Sequence, residues 1–138
     1  MLQFQKILKI ATESQELVDI TQTVRDAVAE SGIATGLCTV FVRHTSASLI
    51  IQENADPDVL LDLKDFMARL APEGASYRHT SEGSDDMPSH IRSILTKTTE
   101  TIPFSQGRLL LGRWQGVFLW EHRTDKHVRE VVIHLVGQ

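Results

Sequence analysis

Three of the six histidines stand in polar sequence rich in carboxylates and hydroxyls. His44 opens HTSAS, a polar break between two apolar runs, and NADPD follows shortly after it. His79 lies in YRHTSEGSDD, and His90 closes the next stretch, MPSH. Imidazole, carboxylate and hydroxyl are the groups that bind metals and move protons. The spacing matches neither HExxH nor any other zinc motif, so a site would have to be assembled by the fold from separate segments. Two imidazoles near Glu82, Asp85 and Asp86 could hold zinc with an open position, or divide general acid and base roles between them.

Other candidates have competing structural explanations. Asn54, Asp56 and Asp58 precede or open one helical stretch, and Asp85 and Asp86 another. Acidic residues there cap helices and complement the macrodipole, each worth about 0.3–1 kcal/mol. A helix N-terminus also attracts phosphate, which these carboxylates would repel unless a divalent cation lay between. That combination points to metal-assisted phosphate chemistry. Trp114, Gln115, Trp120 and Glu121 could line a ligand pocket or a partner interface. His122 and His127 flank a polar turn, RTDK, and His134 reads as a hydrogen-bonded sheet residue. Gly107, Gly112 and Gly116 do not form a phosphate loop, and GxSxG is absent.

The elements that must position these groups follow from periodicity. Alternation predicts a strand over Leu2–Ala11, and Leu17–Ile20 reads as a short edge strand. Val24, Ala27 and Val28 have helical spacing between Thr21, a plausible N-cap, and Gly32, a plausible stop. Gly36–Arg43 is apolar on both parities, which predicts a central strand covered on both sides, and Leu49–Gln52 predicts another strand. Asp56 and Pro57 start a helix with the stripe Val59, Leu63, Phe66, Met67 and Leu70. A loop over Ala71–Ser84 leads to a short helix capped by Asp86, with Ile91, Ile94 and Leu95 on its buried face. Strands are expected at Thr98–Phe104, Arg108–Leu111, Val117–Trp120 and Val128–Val136. The sum is an α+β domain dominated by sheet, mixed or sandwich-like, with two or three helices.

The 138 residues fit one domain, 1–138, whose folding buries roughly 68–70% of the unfolded surface. A net charge of -4 with scattered basic residues argues against a nucleic-acid partner. The single cysteine, Cys38, excludes an intrachain disulfide and a multi-cysteine zinc site. No run approaches the roughly 20 apolar residues of a membrane span, and the N-terminus lacks a signal-peptide core. A cytoplasmic protein is expected.

HTSASLIIQENADPDV, YRHTSEGSDDMPSHI, IPFSQGRLLLGRWQGVFLWEHR and VVIHLVGQ resemble, in order, the signature blocks of the YjbQ family, whose members are often labelled secondary thiamine-phosphate synthases. The resemblance implies a sheet-rich homotrimer with clefts near subunit boundaries. It also implies a secondary ability to couple a hydroxymethylpyrimidine pyrophosphate to a thiazole phosphate with loss of pyrophosphate. Matched onto this chain, the family's polar blocks fall on His44, Thr45, Ser46, Asn54, Asp56, His79, Glu82, Asp86, His90, Gln115 and Glu121. The expected roles follow. His44, His79, His90 and Glu121 are the catalytic candidates, and Thr45, Ser46, Asn54 and Gln115 would bind a phosphorylated small molecule. His79, His90, Asp56, Glu82 and Asp86 would hold a divalent cation, Mg²⁺ or Zn²⁺. The chain departs from the family at Ser84–Met87, where an Asn/Ala-rich variant is common, and at Arg113, where a small residue is common. The alternative is a trimeric small-molecule-binding or scaffold protein with incidental activity.

Overall fold

The structure, a computed structural model, describes residues 1–138. Its elements are β1 (Leu2–Thr12), β2 (Leu17–Asp19), α1 (Thr21–Ser31), β3 (Gly36–Val42), β4 (Ala47–Glu53), α2 (Pro57–Leu70), α3 (Asp86–Leu95), β5 (Thr99–Ser105), β6 (Arg108–Leu109), β7 (Gln115–Glu121) and β8 (His127–Gly137). A five-stranded sheet has the order β1-β8-β3-β5-β6, and a three-stranded sheet has β2-β7-β4. Every pairing is antiparallel, so the α+β expectation holds in its sandwich form and not as a mixed sheet.

One core lies between the sheets. Val40, Val131 and Ile133 from the large sheet meet Leu49, Val117 and Leu119 from the small one, and α1 closes the side with Val24 and Val28. The alternation that marks β1 in the sequence appears as alternating burial paired along the full length of β8. Strand β3 is central, between β8 and β5, but only one of its faces is covered within the chain. Cys38, Val40 and Val42 are buried, whereas Leu37 and Phe41 are exposed. At the β5–β6 hairpin, Gln106 and Gly107 have φ of 53° and 71°, the positive pair that a two-residue turn of this hand requires.

The helices differ in detail from the sequence expectations. Thr21 is the first residue of α1, not its cap; Asp19 accepts from the Thr21 N–H at 2.9 Å and from its hydroxyl at 2.6 Å. Gly32, with φ +68°, does end the helix. Asp56 caps α2 by accepting from Asp58 N at 2.9 Å. The apolar stripe of α2 is poorly covered: Met67 is buried, while Phe66 and Leu70 are exposed. Helix α3 reverses the expectation at two of its three apolar positions, Ile91 being half-buried. Its buried face is Ser89, Arg92 and Ser93, whereas Ile94 and Leu95 face out. The position before α3 is Asp85, and neither Asp85 nor Asp86 makes a side-chain cap, because both carboxylates are engaged elsewhere.

Candidate functional site

The loop before α3 and its first two turns bring four side chains together. His79, Glu82, Asp86 and His90 each place one ligand-type atom within 4.8 Å of all the others. Asp86 and His90 are four residues apart on one helix face, and the loop folds back to add His79 and Glu82. Asp86 Oδ2 lies 2.6 Å from His79 Nε2 and 3.1 Å from His90 Nε2, and Glu82 is 3.3 Å from His79 Nε2. Asp86 itself is buried; the two imidazoles and Glu82 leave the open side. Arg123 holds the other Asp86 oxygen at 2.9 Å.

The tautomer of His90 follows from its second nitrogen. His90 Nδ1 is 2.8 Å from the carbonyl oxygen of Thr45, which only accepts, so Nδ1 carries a proton and donates. In the neutral ring, Nε2 then presents a lone pair to a carboxylate oxygen. That arrangement is repulsive unless a proton or a cation lies between them. A backbone carbonyl orienting one nitrogen so that the other faces a shared centre is the usual arrangement behind metal-bound histidine.

Neighbouring charges are set by the same contacts. Burial opposes ionisation of Asp86, yet hydrogen bonding to His79 and the charges of His90 and Arg123 hold it below the usual carboxylate range. His79 is raised from its ordinary value, chiefly by its hydrogen bond to Asp86. Burial likewise opposes ionisation of Asp85, but hydrogen bonds from Arg123 and Thr124 hold it down at about 2.

His90 also lines a cavity of about 520 Å³ with His44, Thr45, Ser93, Lys97 and Thr98 among its walls. His44 thus shares a cavity with the cluster without joining it. Its Nε2 accepts from Glu130 N–H at 2.8 Å, while its Nδ1 faces Arg129 Nη1 at 3.4 Å. Burial, and then the Arg129 charge, lower its pKa, so the neutral ring is favoured.

Other expected site residues lie apart. Glu121 is fully buried and accepts from Thr12 Oγ1 at 2.6 Å, Arg129 Nε at 2.7 Å, Arg123 N at 3.1 Å and Arg129 Nη2. It stands behind the cavity wall and fixes Arg129, which in turn donates to Ser46 Oγ at 3.0 Å. Asn54 and Gln115 lie at the far end of the β4–β7 ladder from Ala47 and Glu121. At about 3.3 Å per residue that is roughly 20 Å away. Asp56 lies beyond Asn54 and serves as a helix cap, so it is not one of the four clustered ligands. Arg113 is a surface residue stacked 4.7 Å over the Trp114 ring.

Several participants had no local signal in the sequence. His122, which flanks the RTDK turn in the sequence, is buried, bonded through Nε2 to Ser48 Oγ at 2.8 Å, and pushed down to about 3 by burial and the Arg92 charge. Arg123 and Arg129 look like ordinary surface cations until the fold places acids against them. A lone arginine near a turn carries no mark of its partner.

These features define an antiparallel two-sheet α+β domain with a histidine–carboxylate cluster beside a hydroxyl-lined cavity. The chain belongs to the YjbQ family: the family model described as UPF0047 protein YjbQ-like matches residues 6–138. It is 63% identical to UPF0047 protein sll1880 of Synechocystis, over 99% of this chain and 93% of that one. It is 37% identical to UPF0047 protein YjbQ of Escherichia coli O157:H7, over 98% and 99% respectively. A YjbQ/UPF0047-family crystal structure from Clostridium acetobutylicum superposes with a TM-score of 0.89 at 33% identity, covering 95% of this chain and 99% of that one. The TT1486 protein of Thermus thermophilus gives a TM-score of 0.85 at 38% identity, with the same coverage.

Proposed function

We propose that the chain is a metal-assisted transferase acting on a phosphorylated small molecule, with thiamine-phosphate-synthase-type coupling as a secondary activity. The observation that carries this reading is the convergence of His79 Nε2 and His90 Nε2 on Asp86 Oδ2, with Glu82 against His79 Nε2 and His90 oriented by Thr45 O. Two imidazoles with carboxylates favour Zn²⁺ over Mg²⁺, which prefers an all-oxygen set. When bound, such an ion polarises a phosphoryl oxygen as a Lewis acid. The chain's own groups do the rest. Thr98, Thr99 and Lys97 offer hydroxyl donors and a cation to a phosphate in the adjoining cavity. Arg123 keeps Asp86 oriented, Glu121, through Arg129, sets Ser46 at the back wall, and the Glu130 N–H orients the His44 ring.

The homotrimer belongs to the same proposal. The outer face of the large sheet presents Ile7, Val132 and Phe41 in one cross-strand row and Val136 with Leu37 in another. An exposed apolar sheet face of this kind suits burial against neighbouring copies. No helix is long and apolar enough to cross a membrane, and a cytoplasmic location is proposed on the nature of the substrate.

Metal analysis of protein purified without chelator, with zinc titration calorimetry, tests the site. One zinc per chain is expected, with pyrophosphate-induced thermal stabilisation that His79→Ala and His90→Ala remove. Absence of any divalent ion, together with unchanged pyrophosphate response in both variants, overturns the proposal. Incubation with the pyrimidine pyrophosphate and thiazole phosphate then separates a transferase from a binding protein. Binding with turnover no faster than the uncatalysed coupling favours the scaffold alternative.

A further inference from the structure

Adjoining the hydroxyl-lined cavity, and sharing Thr96 and Lys97 with it, is a second cavity of about 360 Å³ between α2, the end of α3 and the sheets. Its walls are largely apolar, with Ile50, Leu63, Phe66, Met67 and Trp120 among them. Both its size and its lining suit a small organic ligand. One carboxylate stands in this lining. Glu100 has the same inward parity on β5 as Ile102 and Phe104, where an apolar residue would ordinarily sit. The residue is only 8% exposed, and no hydrogen bond from the protein reaches its carboxylate. Its one charged neighbour is Lys97 Nζ at 3.4 Å, on a side chain that is 65% exposed. The Glu100 oxygens open on the cavity and not into packed interior, so they are free to accept from a ligand, and a solvated lysine ammonium holds them only weakly.

We propose that this cavity binds a small molecule with a flat or apolar body carrying a cationic amine, which donates to Glu100 in place of Lys97. Phe66, Met67 and Trp120 cover the body. Displaced from Glu100, the exposed Lys97 ammonium, which lines both cavities, can turn toward an anionic group in the neighbouring one. That one substrate spans both cavities rests on the metal-site reading above; binding of the amine to Glu100 does not.

The test uses the full chain, stripped of metal with EDTA, and two probes of similar shape: benzylamine, which is cationic, and benzyl alcohol, which is neutral. The readout is the indole N–H of Trp120 in ¹H–¹⁵N spectra. Trp114, at the other end of β7, serves as the internal control. Benzylamine is expected to shift Trp120 saturably and to bind at least tenfold tighter than benzyl alcohol. Glu100→Gln should erase that preference, and Lys97→Met, which removes the competing ammonium from an exposed position, should tighten benzylamine several-fold. Equal affinities for the two probes overturn the proposal, as does a preference that survives Glu100→Gln or no gain in Lys97→Met. A Trp120 signal that neither probe moves in the assembled protein means a neighbouring copy fills the cavity, and also overturns it. Because metal is absent throughout, failure here leaves the zinc proposal standing, and failure to bind zinc leaves this one standing.

Discussion

Asp86 Oδ2 lies between two imidazole nitrogens, while its other oxygen is held by Arg123. Replacing that carboxylate by an amide keeps the shape and removes the charge. Asp86→Asn is therefore expected to weaken zinc at least tenfold by calorimetry. In wild-type protein, zinc at one hundred times its Kd should stabilise the fold by about 2.7 kcal/mol, an increment the variant loses at the same concentration. His122 supplies the pH-dependent counterpart. Its pKa is lowered to about 3 in the folded chain against an ordinary value of 6.5, so between these pH values the unfolded chain binds the extra proton. Its contribution is complete above about pH 6.5 and is lost as pH falls toward 3, by up to about 1.4 kcal/mol per pH unit. Urea titrations from pH 7 to 4 should show this slope, and His122→Asn should flatten it. An unchanged slope in the variant assigns the acid limb to other groups.

Helix α3 is held by hydrogen bonds more than by apolar contact. Ser93 Oγ donates to Ala47 O at 3.0 Å, and Arg92 Nη2 donates to Ala71 O at 2.9 Å. Ser93→Ala leaves the Ala47 carbonyl without that donor in a buried place, at a cost of about 1–3 kcal/mol. Ile94→Ala, at a side chain 81% exposed, should change stability by no more than about 0.5 kcal/mol. Chemical denaturation of the pair checks the contrast, and the reverse order would mean that the apolar side of α3 is the packed one. The two sheets are joined by a buried ion pair: Thr12 and Arg129 come from the large sheet and Glu121 from the small one. Arg129→Met strands the Glu121 carboxylate, and a loss of about 3–5 kcal/mol is expected by the same measurement.

At the scale of the whole molecule, the outer face of the large sheet exposes apolar side chains from its central strand. Phe41 is 43% exposed and Leu37 52%, although both lie on a central strand. Phe41→Asp places a charge in the middle of that face without touching the core. If the proposed trimer is built on this face, the variant is expected to sediment as a monomer in sedimentation velocity, with the far-ultraviolet circular dichroism retained. A variant that still sediments as the wild type would remove this face from the assembly. The net charge of -4 is consistent with partners other than nucleic acid.

Periodicity and turn chemistry are local, and they located every strand and helix to within a few residues. The alternation of β1, the Asp56–Pro57 start of α2 and the Gly32 stop of α1 each depend on neighbours a few positions away. The compact part of the site was legible for the same reason, since His79, Glu82, Asp86 and His90 lie on one loop and the start of one helix. What faces what was decided by tertiary structure. Thr12 and Glu121 meet across 109 positions, which no local pattern encodes. Asn54 and Gln115 stand near each other, but the length of a strand separates them from the cluster. The polar face of α3 is buried because carbonyls of β4 and the preceding loop await its donors, a demand that exists only once those segments have packed. The three histidines were legible as chemistry from their residue types. Only the fold separated His79 and His90, which share a carboxylate, from His44, whose ring is held neutral in the wall beside them.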